Sequence, residues 1–403
     1  MALLVVALAA CSSPSSANGK SSAPAPANSA SPSAEASPAA SATPAPSPEP
    51  FSTQLDCVRP VPQGHALVLF ELATATPPIL EVADASDPVK PSLLCTLIPA
   101  QGGRFDQSST RLLFWSGATI ASADLNSRTV TPIGRLPLTP SELTFGPGGQ
   151  WIAYRVFDSA GGMTLHLFAA GHDQAVYSQA PLGGHSGPPY GPYDQLRFSP
   201  DGTLLLDYLT FRPSADIDNL LVLSTAGATV FQEPGTVSGV WSAAGAVLYY
   251  PVSGEGGVTG EVDSFDAVHG SQTIATGLKG YYWPANVPDG TGIIYDTYDS
   301  SVPGCGGVPH LWWLDLVGAH QATQVSRSVS SQPVFVGRGE VWSNEETKTP
   351  CGPGGASARD GVVLAHNMTT RTDTPVDLRG MLPGAGGFGL EESDVGNVVD
   401  TWF

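Results

Sequence analysis

The chain has 403 residues, of which 41% are hydrophobic and only 13% are charged, and it contains 46 glycines and 37 prolines. So many turn-forming residues argue against a protein of long helices and favour many short strands around a large core. The formal net charge is −19 and the 17 Lys and Arg residues form no run, which argues against nucleic-acid binding.

The first eleven residues, MALLVVALAAC, place a short apolar run directly before Leu8, Ala9, Ala10 and Cys11. This pattern resembles the lipobox of bacterial lipoproteins, in which signal peptidase cuts before the cysteine and the cysteine carries lipid. The resemblance implies a signal peptide over residues 1–10 and a lipid on Cys11. The alternative is a core strand that ends in cysteine. No basic residue precedes the apolar run, so we expect the natural start to lie upstream.

Residues 11–50 are almost entirely Ser, Ala and Pro. Such a segment cannot bury enough apolar surface to offset the entropy of ordering, so we expect a disordered linker. When extended it would span on the order of 120 Å, which lifts residues 51–403 clear of a membrane surface. We therefore expect a bacterial extracytoplasmic protein that is lipid-anchored to the cell membrane or outer membrane.

Four cysteines remain after Cys11, and an oxidising compartment favours disulfides between them. We predict that Cys57 pairs with Cys95 and that Cys305 pairs with Cys351, because each pair then joins neighbouring strands or loops of the fold described below. A metal site is the alternative, but the cysteines have no CxxC spacing and no nearby His pair. We predict no bound metal or other cofactor.

A hairpin signal recurs along residues 51–403. It is clearest in LRFSPDGTLLLDY, residues 196–208, where proline, aspartate and glycine favour a tight turn between two apolar runs. Spacings between equivalent positions run from 40 residues (105 to 145) to 53 residues (145 to 198). These positions are Phe105, Phe145, Phe198, Trp241, Asn286 and Phe335. A period of this length holds four strands, which is typical of propeller blades.

The segments SPDGTLLL, PGGQWIAY and PDGTGIIY resemble the repeat of TolB-type propellers, a WD-like repeat with an aromatic residue, Ser-Pro-Asp-Gly, and then Ile-Ala-Tyr or Ile-Ala-Phe. The resemblance covers residues 104–342 and is complete only around Phe198. It implies an all-β fold, a β-propeller of four-stranded antiparallel blades over residues 51–403. We count seven blades, with six as the alternative, and expect strands from both chain ends to share one blade and close the ring. Family members include envelope binding proteins and propellers appended to peptidases.

The sequence carries no strong catalytic signature. The loop GGHSGPP contains His185 and Ser186 but lacks the strand-to-helix context of a nucleophile elbow. Asp216, Asp218 and Asn219 lack the EF-hand spacing for Ca²⁺, so we favour a loop that leads into a strand.

Propellers usually bind ligands on the face that carries the second-to-third strand connections and the connections between blades. The long connections there are predicted at Pro181–Asp194, Pro251–Gly260, Asp299–His310 and Asn344–Gly361. Aromatic residues offer large contact area at low entropic cost. The candidate binding residues are therefore Tyr190, Tyr193, Trp283, Tyr281, Tyr282 and His185. The alternative for the aromatic residues is packing between blades, as we expect for at least one of Trp312 and Trp313.

The sequence thus predicts a membrane-anchored, monomeric lipoprotein whose propeller is a non-catalytic binding or scaffold module. We expect a protein partner in the cell envelope, with a glycan as the other ligand class. The alternative is a hydrolase or lyase of envelope polysaccharide or peptide, with paired carboxylates at the mouth of the propeller. A structural spacer without an organised site is a third possibility.

Overall fold

The computed structural model describes 18 stretches of the chain. They are residues 51–72, 75–106, 110–159, 162–179, 196–211, 217–234, 236, 239–243, 245–254, 257–278, 282–286, 290–299, 308–328, 330–337, 339–346, 359–378, 381 and 397–402. All of them belong to one compact unit, Pro50–Phe403. Among these residues no helix is long and apolar enough to cross a membrane.

The described strands form seven antiparallel sheets, six of four strands and one of five. The five-stranded sheet, blade 1, contains β1 (Gln54–Cys57), β2 (Leu67–Leu72), β3 (Ile79–Asp84), β4 (Ser92–Ile98) and β29 (Asn397–Trp402). Blade 2 contains β5 (Gln101–Phe105), β6 (Arg111–Ser116), β7 (Thr119–Asp124) and β8 (Thr129–Arg135). Blade 3 contains β9 (Glu142–Phe145), β10 (Ile152–Phe157), β11 (Met163–Ala169) and β12 (His172–Gln179).

The remaining four blades follow in chain order. Blade 4 contains β13 (Arg197–Phe198), β14 (Leu204–Phe211), β15 (Ile217–Ser224) and β16 (Thr229–Pro234). Blade 5 contains β17 (Val240–Trp241), β18 (Leu248–Gly254), β19 (Gly257–Asp266) and β20 (Gly270–Ala275). Blade 6 contains β21 (Tyr282–Asn286), β22 (Gly292–Asp299), β23 (Val308–Asp315) and β24 (Ala322–Gln324). Blade 7 contains β25 (Ser330–Gly337), β26 (Glu340–Glu346), β27 (Arg359–Asn367) and β28 (Thr372–Pro375). The predicted all-β propeller of four-stranded antiparallel blades is confirmed.

Both ends of the propeller chain meet in blade 1, whose strand order is β1-β4-β3-β2-β29. The last strand, β29, is the innermost strand of this blade and contacts β5 of blade 2 and β25 of blade 7. The ring therefore closes through β29, as the sequence predicted. The outermost strand, β1, is an addition beyond the usual four.

The hairpin positions predicted from the sequence occupy equivalent places. Five of the six residues are the last residue of an inner strand, and all six pair with the second strand of the same blade. In the clearest copy, the Asp201 carboxylate accepts hydrogen bonds from the Ser199 hydroxyl at 2.6 Å and from the Thr203 amide at 3.1 Å. Gly202 has a φ of 73°, which glycine adopts without strain. The local sequence therefore shapes the turn.

Large aromatic side chains on the second strands form much of the core between blades. They are fully buried, and they are Phe70, Phe114, Tyr154, Tyr250, Tyr295 and Trp342. Aromatic and β-branched residues favour such strands because they pack well on a pleated surface. Trp312 and Trp313 pack into two different core clusters, on opposite faces of β23, so the expectation that at least one of them packs is confirmed.

One disulfide is described, between Cys57 and Cys95. These residues are direct partners across β1 and β4, which confirms the predicted pairing. Cys11, Cys305 and Cys351 lie outside the described residues.

Candidate functional site

The two ends of the blades carry different connections, and the difference defines a candidate site. One end, here called the turn face, carries the connections from first to second strand and from third to fourth strand. The longest of these spans residues 85–91, and the connection over residues 58–66, from the added strand β1 to β2, lies at the same end. The other end, here called the loop face, carries the second-to-third connections and the connections between blades. The strands at this end flank connections over residues 180–196, 300–307, 347–358 and 376–396.

Side-chain caps hold the turns of the turn face. Several third strands end in Asp or Asn. In each case the side-chain oxygen of that residue accepts hydrogen bonds from the backbone N–H groups two and three residues later. These capping residues are Asp124, Asp266, Asp315 and Asn367. Such turns are compact and satisfy their own backbone groups, so they offer little adaptable surface. Asn367 also donates to Glu340, so its amide is already engaged.

Most of the candidate binding residues lie outside the described residues. These are His185, Tyr190, Tyr193 and Tyr281. The backbone of Tyr282 and Trp283 opens β21, the inner strand of blade 6, at the loop face. The predicted loop Pro251–Gly260 is wrong in part, because β18 and β19 extend through it and pair Ser253 with Val258. Its glycines suggested a loop, whereas cross-strand pairing extends the hairpin.

Glu71 brings a carboxyl group to the loop face. It lies near the end of β2, opposite Asn397 of the inner strand β29, and its carboxylate accepts the Gly102 N–H. Desolvation by burial raises the pKa of Glu71 to about 7, and this hydrogen bond offsets only part of the effect. Gly102 has a φ of 41°, and a Cβ atom there would lie 1.8 Å from the Trp115 ring. Only glycine allows this close approach.

A second acidic group at the loop face is paired. Glu142 begins β9, and its Oε2 accepts a hydrogen bond of 2.7 Å from the Arg155 guanidinium, which is 1% exposed. Its Oε1 accepts the Leu196 N–H at 3.1 Å, just before β13 of blade 4. The pair therefore joins blades 3 and 4 near their inner strands. The sequence analysis identified neither residue. A charged residue within a strand, such as Arg155, is usually exposed, so its burial and its pairing with Glu142 were not expected.

Blade 7 contains serine, histidine and aspartate in the order of a hydrolase triad. Ser343 Oγ lies 2.5 Å from His366 Nε2, and His366 Nδ1 lies 2.9 Å from Asp373 Oδ1. Ser343 is 0% exposed and His366 is 2% exposed. Asp373 Oδ2 also accepts the Arg327 and Ser328 N–H groups, which lead from blade 6 into blade 7. A substrate has no access to this serine, so the group is a structural link.

Blade 3 has a related network. The Tyr154 hydroxyl donates to Asp173 at 2.7 Å, and His166 Nδ1 lies 2.9 Å from the same carboxylate. In both blades the hydroxyl is on the second strand, the histidine on the third and the aspartate on the fourth. In both, the aspartate follows the histidine by seven residues, as in HLFAAGHD and HNMTTRTD. This repeated spacing was the available signal, and sequence reasoning missed it.

Metal binding has no support among the residues that the structure describes. No group of three or more His, Cys, Asp or Glu side chains is arranged to hold an ion there. Asp218 and Asn219, which the sequence placed in a loop leading into a strand, lie on β15, and Asp216 is outside the described residues.

No protein-family model matches the chain. No curated protein matches it either. Among solved structures, the chain is similar to the β-propeller domain of the Trilobed protease from Pyrococcus furiosus, with 10% identity and a TM-score of 0.43 over 68% of this chain and 91% of that chain. It is also similar to Porphyromonas gingivalis dipeptidyl peptidase 4, with 12% identity and a TM-score of 0.47 over 78% of this chain and 51% of that chain.

A third similar structure is an oligogalacturonate lyase from Vibrio parahaemolyticus, with 9% identity and a TM-score of 0.45 over 80% of this chain and 85% of that chain. The activities in these names are properties of those proteins. The β-propeller fold of this chain rests on its own strand pairing.

Proposed function

We propose that this chain is a bacterial lipoprotein, anchored outside the cytoplasm by lipid on Cys11, whose propeller binds a protein partner through its loop face without catalysis. The observation that carries the proposal is the asymmetry of the two faces. Mostly short turns occupy one face, and the three longest connections between described strands, over residues 180–196, 347–358 and 376–396, lie at the other. Long connections on a rigid scaffold are where binding residues concentrate.

Two further observations support a non-catalytic role. The Ser343, His366 and Asp373 group is used inside the fold, between blades 6 and 7. The aromatic pair Tyr282 and Trp283 begins an inner strand at the loop face, next to the centre of the ring. Aromatic residues in such a position suit a protein contact, because they give much contact area for few rotatable bonds.

The partner can be tested by site-specific photo-crosslinking in cells that express the full chain. A photo-reactive phenylalanine derivative at position 283 should form an adduct with an envelope protein. The same group at position 268 is the matched control, since Val268 is 85% exposed and lies on the turn face. Equal labelling from both positions, or no adduct at position 283, would remove the protein-partner proposal.

The anchor has its own test. Cys11→Ala should move the protein from the membrane fraction to the soluble fraction, because the lipid has no other attachment point in this proposal. Wild-type protein run beside it controls for yield. Full membrane retention of the variant would contradict lipid anchoring and leave the crosslinking result unaffected.

A second candidate is a hydrolase or lyase of envelope polysaccharide or peptide. The observation that favours it is Glu71, because a carboxyl group with a pKa near 7 suits general acid catalysis. This function predicts turnover of envelope glycans or peptides that Glu71→Gln abolishes. Absence of turnover by the wild-type protein would exclude it.

A further inference from the structure

The disulfide fastens the first strand of the propeller chain, β1, to the rest of blade 1. Blade 1 already has four strands without β1, in the order β4-β3-β2-β29. β1 adds a fifth strand that pairs with β4 over only four residue pairs, from Gln54 with Ile98 to Cys57 with Cys95. The disulfide sits at the last of these pairs, the one farthest along the chain from residue 50.

The position of β1 means that a pull on residues 11–50 reaches the propeller through this strand first. Four residue pairs resist a sustained pull weakly, since each hydrogen bond contributes only about 1 kcal/mol in water. Without a covalent link the pull would pass along residues 58–66 to β2. Among the described strands, β29 pairs with β2 alone, so loss of β2 would open the ring.

With the disulfide, the pull stops at Cys57 and enters β4 at Cys95. Cys95 is 0% exposed, pairs with Val82 of β3 and packs in the core cluster between blades 1 and 2. Once β1 is pulled away, β4 remains paired with β3. The load therefore enters the sheet at β4, two strands away from β2, and does not act directly on the β2–β29 pair that closes the ring.

We propose that the disulfide Cys57–Cys95 is a strain-relief joint, which passes tension from the N-terminal linker to β4 and protects the β2–β29 closure. The joint rests on the proposed function for the source of tension, the lipid on Cys11. Its mechanics depend on the described strands alone.

The test is single-molecule pulling on the full chain. One handle is placed at Lys20 in the linker and the other at Val268, which is 85% exposed on blade 5, so that the load crosses the ring. In the wild-type protein the first event should release only the residues before the disulfide, about 14 Å for Gln54–Cys57. In the Cys57→Ala, Cys95→Ala variant the release should continue past residue 57 through Leu72, about 65 Å or more in total, at a force at which the wild-type ring stays closed.

A Cys305→Ala, Cys351→Ala variant is the matched control and should behave like the wild type. If the Cys57 and Cys95 variant does not fold, the Cys305→Ala, Cys351→Ala variant is used in its place. It is folded under oxidising conditions, and a phosphine reductant added during pulling then breaks its Cys57–Cys95 bond. If the release beyond residue 57 has the same length and occurs at the same force with and without the bond, the proposal is overturned. The outcome does not depend on lipid or partner, so failure of the joint and failure of the proposed function can be told apart.

Discussion

Replacing Asp373 by alanine is expected to lower the free energy of unfolding by about 3 kcal/mol, because three donors, one of them the buried His366, lose their acceptor at once. These donors are His366 Nδ1 and the Arg327 and Ser328 N–H groups. The carboxylate needs Nδ1 to carry the proton, which leaves Nε2 to accept from the Ser343 hydroxyl. The substitution therefore removes the acceptor that links blade 7 to the connection from blade 6 and orients the His366 ring.

Burial alone would raise the pKa of Asp373, but the hydrogen bonds from His366 and Ser328 hold it well below its usual value. A carboxyl group with a lowered pKa in the folded state stabilises the protein above its ordinary pKa. That contribution is lost only as the pH falls through the lower folded value. The effect of Asp373→Ala should accordingly be full at neutral pH and fade in strong acid.

Urea unfolding of the wild type and Asp373→Ala at neutral pH measures this effect. Ser343→Ala should cost only about 1 kcal/mol, since it removes a single hydroxyl contact. Asp315→Ala, at an exposed turn, is the matched control and should change stability much less. A serine-directed phosphonate that labels Ser343 in the folded protein would contradict the structural role, as would equal effects of all three variants.

Local patterns made most of the fold predictable. The hairpin signal around Phe198 depends on turn chemistry within a few residues, and the copies at Phe105, Phe145 and Trp241 all end inner strands. The Cys57–Cys95 pair followed from the blade assignment, because neighbouring strands bring their residues together. Ring closure by the terminal strand was predictable too, since an open propeller would leave an edge unpaired.

Features that depend on long-range packing were not predictable. The fifth strand β1 has four residues and no turn signal, and the burial of Arg155 depends on its pairing with Glu142, 13 residues earlier in the chain. The loop-face hairpins extend because strand pairing overrides the local preference of glycine, as at Gly254 and Gly257. The candidate residues His185, Tyr190 and Tyr193 remain predictions.

Glu71→Gln is expected to remove a pH dependence of stability between about pH 4.5 and 7. The pKa of Glu71 is raised from 4.5 to about 7 in the folded protein, so the folded state holds the proton more tightly than the unfolded chain. The stabilising contribution of Glu71 is then fully present below pH 4.5, and it is lost as the pH rises through 7. Allowing for partial exposure, the loss amounts to about 2 kcal/mol.

The glutamine side chain keeps an oxygen that can accept the Gly102 N–H, and it carries no charge to desolvate. Urea unfolding at pH 5 and pH 8 should therefore show the wild type losing about 2 kcal/mol more than Glu71→Gln over this interval. Parallel losses in the two proteins would show that Glu71 titrates normally. That result would also remove the observation that favours an enzyme, because a carboxyl group with an ordinary pKa is a poor general acid at neutral pH. If the difference appears and the wild type turns over no envelope glycan or peptide, the raised pKa reflects burial beside the ring closure alone.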